Sequence, residues 1–83
     1  MQQRQTKEEW EARIDIDPEI QGGRPVIKGT RVPLYVLIGS LAGGDTLEQV
    51  CDSYRVTADD VRAALAYAAE IISEERVYAV PRR

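Results

Sequence analysis

The sequence predicts a mainly α fold: a three-helix, homeodomain-like helix-turn-helix core preceded by a short N-terminal β unit, in a single domain. Three observations predict it. Three successive segments carry apolar residues at i, i+3, i+4 and i+7, the stripe of a helix packed on one side. Each begins at a start signal, Pro33, Thr46 or Thr57. Ahead of them, Arg13 to Asp17 alternates polar and apolar residues with the period of a strand.

The elements follow in order. Residues 1–12 are a polar lead-in, loose or helical, which Trp10 tacks onto the body. The β unit spans 13–32. Its first strand, 13–16, turns Ile14 and Ile16 to one face and Asp15 and Asp17 to the other, and Pro18 closes it. The second, 25–28, is built on β-branched Val26-Ile27, with Gly22-Gly23 in the connection. Two strands alone are marginal in water, so they must pack on helices or on another chain. The helical core spans 33–75. Helix 33–42 has Pro33 at its first helical position, the stripe Leu34, Leu37, Ile38 and Leu41, and an end at Gly43-Gly44. Helix 46–54 opens on a capping box of Thr46 and Gln49 and carries Leu47, Val50, Cys51 and Tyr54. Helix 58–75 follows the N-cap Thr57, with Asp59 and Asp60 in the first turn, where the helix dipole favours acids. Its stripe is Val61, Ala64, Leu65, Ala68 and Ile72, widened by Tyr67 and Ile71. The connection Arg55-Val56-Thr57 has helix-turn-helix length. Residues 76–83 form a C-terminal tail.

Composition limits the chemistry. A chain of 83 residues buries only about 60% of its unfolded surface and gains much from a partner. With one cysteine and no histidine, an internal disulfide, a His/Cys metal site and imidazole chemistry are all excluded. The lone Cys51 suits a reducing cytoplasm, and on the second helix's stripe it acts as a small hydrophobe. Apolar runs fall short of the ~18 residues of a membrane span. The N-terminus lacks the apolar core of a signal peptide. A cytoplasmic protein away from the membrane is expected, without cofactor or metal. Asp15, Asp17 and Glu19 would share a strand face. They suit a hard cation, but also an edge charged against aggregation, which is the reading we adopt. Tyr54 and Tyr67 read as half-buried anchors. No serine, lysine or carboxylate stands in a nucleophile or acid–base arrangement, so no catalytic residue is assigned and the chain is read as a non-enzyme.

Charge is unevenly placed. Residues 21–44 hold Arg24, Lys28 and Arg31 and no acid, whereas residues 1–20 hold three cations against six acids and residues 45–62 hold two against five. Overall acidity, a net −3, argues against unspecific nucleic-acid binding, and a local basic patch leaves a specific contact open. Gly22, Gly23, Pro25, Gly29 and Pro33 set the shape of that patch. Arg24, Lys28, Thr30 and Arg31, with Arg55 and Arg62 from the helical part, are the candidates for contacting DNA or a partner. The third helix leads with Ala58, Asp59, Asp60, Val61 and Arg62. Only Arg62 suits a guanine edge, which speaks against major-groove reading by this helix. Tyr35 and Val36 make the first helix apolar on more than one face, and the surplus of apolar surface at Tyr35, Val36 and Leu37 predicts a homodimer that uses this helix and the β unit.

The order Ile14-Asp15-Ile16-Asp17-Pro18-Glu19-Ile20, followed by Gly23-Arg24-Pro25-Val26-Ile27-Lys28-Gly29-Thr30-Arg31-Val32-Pro33, resembles the domain-of-unknown-function family 433. The resemblance continues through Leu41-Ala42 and Gly44, Leu47-Glu48-Gln49-Val50, Tyr54, Thr57, Asp59-Asp60-Val61 and Ala63 to Ala68. It departs at Arg55, where family members often carry proline. It implies a VapB-like antitoxin of a toxin–antitoxin pair, partnered by a PIN-like ribonuclease toxin, with its own operator DNA as a further candidate ligand. The toxin's acid-rich active site would make Tyr78, Val80, Arg82 and Arg83 of the tail candidate toxin contacts. The alternative reading is a stand-alone helix-turn-helix DNA-binding regulator with no toxin, which salt-sensitive operator binding by the isolated protein would reveal.

Overall fold

A computed structural model describes residues 4–74. The elements among them are α1 (Lys7–Glu11), β1 (Ile14–Asp15), a 3-10 turn (Gln21–Gly23), β2 (Val26–Ile27), α2 (Leu34–Ala42), α3 (Leu47–Tyr54) and α4 (Ala58–Glu74). The fold is mainly helical with one small sheet. The strands pair antiparallel, Ile14 opposite Ile27 and Asp15 opposite Val26.

The lead-in is helical because its ends are satisfied locally. The Thr6 hydroxyl accepts the Glu9 N–H at 3.2 Å, and the Glu9 carboxylate accepts the Thr6 N–H at 2.8 Å. The helix buries Trp10, which meets Tyr67 edge-on at 6.4 Å between ring centroids. The expected capping box of Thr46 and Gln49 opens α3. Thr57 opens α4: its hydroxyl accepts the Asp60 N–H, and an Asp60 carboxylate oxygen accepts the Thr57 N–H, both at 3.0 Å. The core gathers Ile27 of β2, Leu34 and Leu37 of α2, Val50 of α3, Val56 of the turn after it, and Val61 and Ala64 of α4. Cys51 is half-buried and packs against it. So are Tyr54, whose hydroxyl lies 3.2 Å from the Ser40 hydroxyl, and Tyr67.

Several expectations need correction. Pro33 stands at the N-cap, one residue ahead of the expected position. Its ψ of 145° is extended and it bridges to Val26, so the chain passes from an extended pair directly into α2. The strands are two residues long where four were expected. Ile16 consequently lies beyond the ladder, 56% exposed. The chain turns away there, with the Asp17 carboxylate accepting the Glu19 N–H at 2.9 Å. On α4, Leu65, Ile71 and Ile72 are exposed rather than core. Leu65 is one residue, about 100° of helix, from buried Ala64. Ile71 and Ile72 sit on the last turns of a helix twice as long as its neighbours. Leu37, proposed for a dimer surface, is fully enclosed. At the α3–α4 turn, Arg55 adopts the left-handed conformation, φ 58° and ψ 48°. Proline, locked near −65°, cannot take it, so a chain with proline at this position would have to close the turn differently.

Sequence reasoning missed the Arg13 cluster. The Arg13 guanidinium pairs with Asp60 at 3.1 Å and Asp59 at 3.7 Å, and donates to the Gln5 side-chain oxygen at 3.1 Å. Asp60 therefore caps α4 and fastens the start of β1 to it.

Leu37→Ala should lower unfolding stability by about 2–5 kcal/mol through loss of buried volume. Asp60→Ala removes a cap and an ion pair together and should cost about 1–2 kcal/mol, more than Arg13→Ala. Urea denaturation of the three variants checks both the order and the size. A pH effect should come from Lys7 and Glu70, whose side chains meet at 2.6 Å. The Lys7 hydrogen bond and charge hold the Glu70 carboxyl below its ordinary value, and Glu70 in turn raises Lys7. The depressed carboxyl contributes stability above the unfolded carboxyl pKa, about 4.3, and loses it as pH falls through the folded value. The raised ammonium contributes below about 10.4 and loses it as pH rises. Lys7→Met should therefore shrink the fall of the urea midpoint between neutral and acid pH, and high salt should shrink the difference between the two proteins.

Candidate functional site

The basic segment is held by two linked turns. Gln21, Gly22 and Gly23 all have positive φ, at 51°, 65° and 88°. The Gly23 N–H donates to the Ile20 carbonyl at 3.0 Å, and the Arg24 N–H to the Gln21 carbonyl at 3.2 Å. A Cβ at Gly22 would meet nothing within 4 Å, so its requirement is conformational and not one of space. The second turn joins β2 to Pro33. Gly29, at φ 82°, lets the Thr30 N–H reach the Ile27 carbonyl at 3.0 Å, while the Ile27 N–H reaches the Val32 carbonyl at 3.0 Å. The Gln21 side-chain amide donates to the Arg31 carbonyl at 3.1 Å and ties the two turns together.

The candidate side chains separate by what they already hold. The Thr30 hydroxyl donates to the Ile27 carbonyl at 2.7 Å and accepts the Val32 N–H at 3.0 Å, so it braces the turn. Arg62 pairs with Asp59 at 3.4 Å. Arg24, Lys28, Arg31 and Arg55 are exposed and have no acidic partner among the described residues. Arg24 lies over the Tyr35 ring, its guanidinium carbon 5.2 Å from the centroid, and donates to the Tyr35 hydroxyl at 3.2 Å. An arginine fork and a lysine point charge on a braced backbone can bind carboxylates or phosphates. Tyr78, Val80, Arg82 and Arg83 lie outside the described residues.

A second surface escaped the sequence reading. One hollow of about 360 Å³ is lined by Trp10, Ile14 and Ile16, with Glu11 and Glu74 at its edge. Another of about 280 Å³ lies between α2 and α4 and holds Leu34, Tyr35, Ile38 and Ile72. Tyr67 and Ile71 line both, so the hollows flank one ridge of α4. Helical periodicity marks Ile71 and Ile72 as apolar-face positions, but it cannot say where the covering helices stop. Of the proposed dimer residues, Tyr35 is 58% exposed and Val36 half-buried. Among the described residues no helix is long and apolar enough to cross a membrane.

The described residues thus present two uncovered surfaces, one cationic and one apolar. The chain is 40% identical over 56 residues to the uncharacterized protein y4eO of Sinorhizobium fredii, covering 66% of this chain and 25% of that protein. It is 38% identical over 55 residues to a Mycobacterium tuberculosis protein named "Putative antitoxin VapB45", covering 66% of this chain and 23% of that one. The chain thus spans about a quarter of the length of these curated relatives. Among solved structures, Rv2018 of Mycobacterium tuberculosis matches with a TM-score of 0.60 and 38% identity, over 66% of this chain and 26% of that one. A DUF433 member from Anabaena variabilis matches with a TM-score of 0.68 and 28% identity, over 75% and 62%. The model of the family of unknown function DUF433 matches residues 14–68, from β1 through the basic segment and well into α4, and the chain belongs to that family.

Proposed function

We propose that this chain is an antitoxin-like binding module that docks and neutralises a PIN-like ribonuclease toxin in the cytoplasm, with operator DNA as its second ligand. The observation that carries this reading is the relative named as an antitoxin, aligned over two-thirds of this chain. Three exposed cations without acidic partners among the described residues, Arg24, Lys28 and Arg31, suit an acid-rich protein surface. The reading is one of binding and not of catalysis.

The packing of α2, α3 and α4 on one another, with three residues between α3 and α4, supports reading them as a homeodomain-like helix-turn-helix. That is the feature favouring a stand-alone DNA regulator. The chemistry at the head of α4 weighs against it. Asp60 is engaged by Thr57 and Arg13, and the guanidinium of Arg62 is drawn to Asp59. Base edges would meet acids there. DNA contact is therefore assigned to Arg24, Lys28, Arg31 and Arg55, and α4 to a structural role.

The test pairs a pull-down of the adjacent gene's product with a mobility shift on the upstream DNA. Wild-type protein should capture that product and suppress its ribonuclease activity. Replacing Arg24, Lys28 and Arg31 together by alanine should preserve the circular dichroism spectrum and weaken capture. If the segment also holds DNA, each lost phosphate contact should flatten the salt dependence by about one unit of slope. Failure of the wild-type protein to bind the neighbour, alongside salt-sensitive operator binding, would replace this reading by the regulator.

A further inference from the structure

Five large apolar side chains are exposed among the described residues: Ile16, Tyr35, Leu65, Ile71 and Ile72. All but Leu65 line the two hollows beside the Tyr67–Ile71 ridge. Scattered apolar side chains are normal on a surface, but four on one face are not scatter. The charges at the two edges differ in sign. Glu11 and Glu74 are exposed beside one hollow, where Glu70 is already paired with Lys7. The charged residue at the other hollow is Arg24, which has no acidic partner among the described residues. The face thus runs from acidic through apolar to basic.

We infer that this face receives a second copy of the chain, placed about a two-fold axis across the Tyr67–Ile71 ridge. In a two-fold interface residue i meets j and j meets i, so an apolar centre flanked by opposite charges complements itself. Turned by 180°, each copy sets Arg24 opposite the partner's Glu11 and Glu74 end, and Ile71 and Ile72 meet their own counterparts near the axis. The interface centres on α4 and the Tyr35 edge of α2. The enclosed Leu37 takes no part. The inference is independent of the antitoxin reading.

Sedimentation equilibrium and gel filtration of the full chain test it. The wild-type protein should be a dimer at concentrations of about 10–100 µM, since a specific apolar interface with charged ends reaches at least micromolar affinity. Ile72→Glu should raise the dissociation constant at least ~tenfold, and Glu48→Lys, on α3, whose residues line neither hollow, should leave it unchanged. Circular dichroism and the thermal midpoint show that both variants stay folded. Arg24→Glu should weaken the dimer, and adding Glu11→Arg and Glu74→Arg to it should restore the dimer, because the reversed charges again face each other across the axis. A wild-type monomer over that range overturns the inference, as does a dimer indifferent to Ile72→Glu or not rescued by the charge exchange. A monomer that captures the adjacent gene's product only while Ile72 is intact also overturns it, and assigns the face to that partner while sparing the antitoxin reading. A dimer with the expected pattern that captures no such product leaves this inference standing and removes the antitoxin reading.

Discussion

The structure depends on one helix being longer than any other element among the described residues that packs on it. α1, α2 and α3 all pack against α4, and its inward face is built from small and β-branched residues, Val61, Ala63 and Ala64, that let them approach closely. At 1.5 Å per residue, the 17 residues of α4 extend about 25 Å. The nine of α2 and the eight of α3 reach only about half as far. Packing is therefore complete near Val61 and Ala64 and runs out toward Ile71 and Ile72. The N-terminal helix offsets part of this by laying Trp10 against Tyr67 and Lys7 against Glu70. The exposed ridge is a consequence of these lengths.

The same constraint explains what the sequence could disclose. Capping is local, involving side chains three residues apart, and Thr46 with Gln49 and Thr57 with Asp60 behave as their spacing requires. Helix existence and the inner stripe of Leu34, Leu37, Val50 and Val61 are likewise local in period. The failures are non-local. Nothing within α4 says that the covering helices stop before Ile71. Nothing in Arg13 to Asp17 says that pairing ends at Asp15 and leaves Ile16 outside. Arg13 meets Asp60 across 47 residues of sequence, and no pattern in one chain signals such a pair. In the basic segment the glycines announced the reversal, yet Gln21 shares their left-handed backbone, and residue type gave no hint of that.

The candidate cations sort by the same distinction. Lys7, Arg13 and Arg62 lie close to acids on other elements or on their own helix, and each is neutralised. Arg24, Lys28 and Arg31 sit on a stretch with no acid in it, and its two turns are tied by the Gln21–Arg31 hydrogen bond. Ordering such a segment on binding costs little, since its backbone hydrogen bonds are already made. Thr30, chosen from the sequence as a contact residue, contributes to this order by bracing the turn.

Arg24 belongs to both surfaces. Its guanidinium lies over Tyr35, at the basic edge of the apolar face, and it is also the first cation of the 21–44 segment. A partner that draws Arg24 away from the ring changes the edge that a second copy of the chain would meet. A second copy that engages Arg24 withdraws one charge from the basic segment. Coupling of this kind is reciprocal: whatever factor self-association applies to partner affinity, the partner applies to self-association. The sign depends on whether both ligands claim the same guanidinium geometry. A carboxylate approaching from the ring's open side could be shared, whereas a phosphate that turns the fork outward would compete. The stoichiometry of a complex formed by this chain is thus tied to one side chain, because Tyr35, facing outward beside buried Leu34 at the start of α2, stays at the surface for Arg24 to cover.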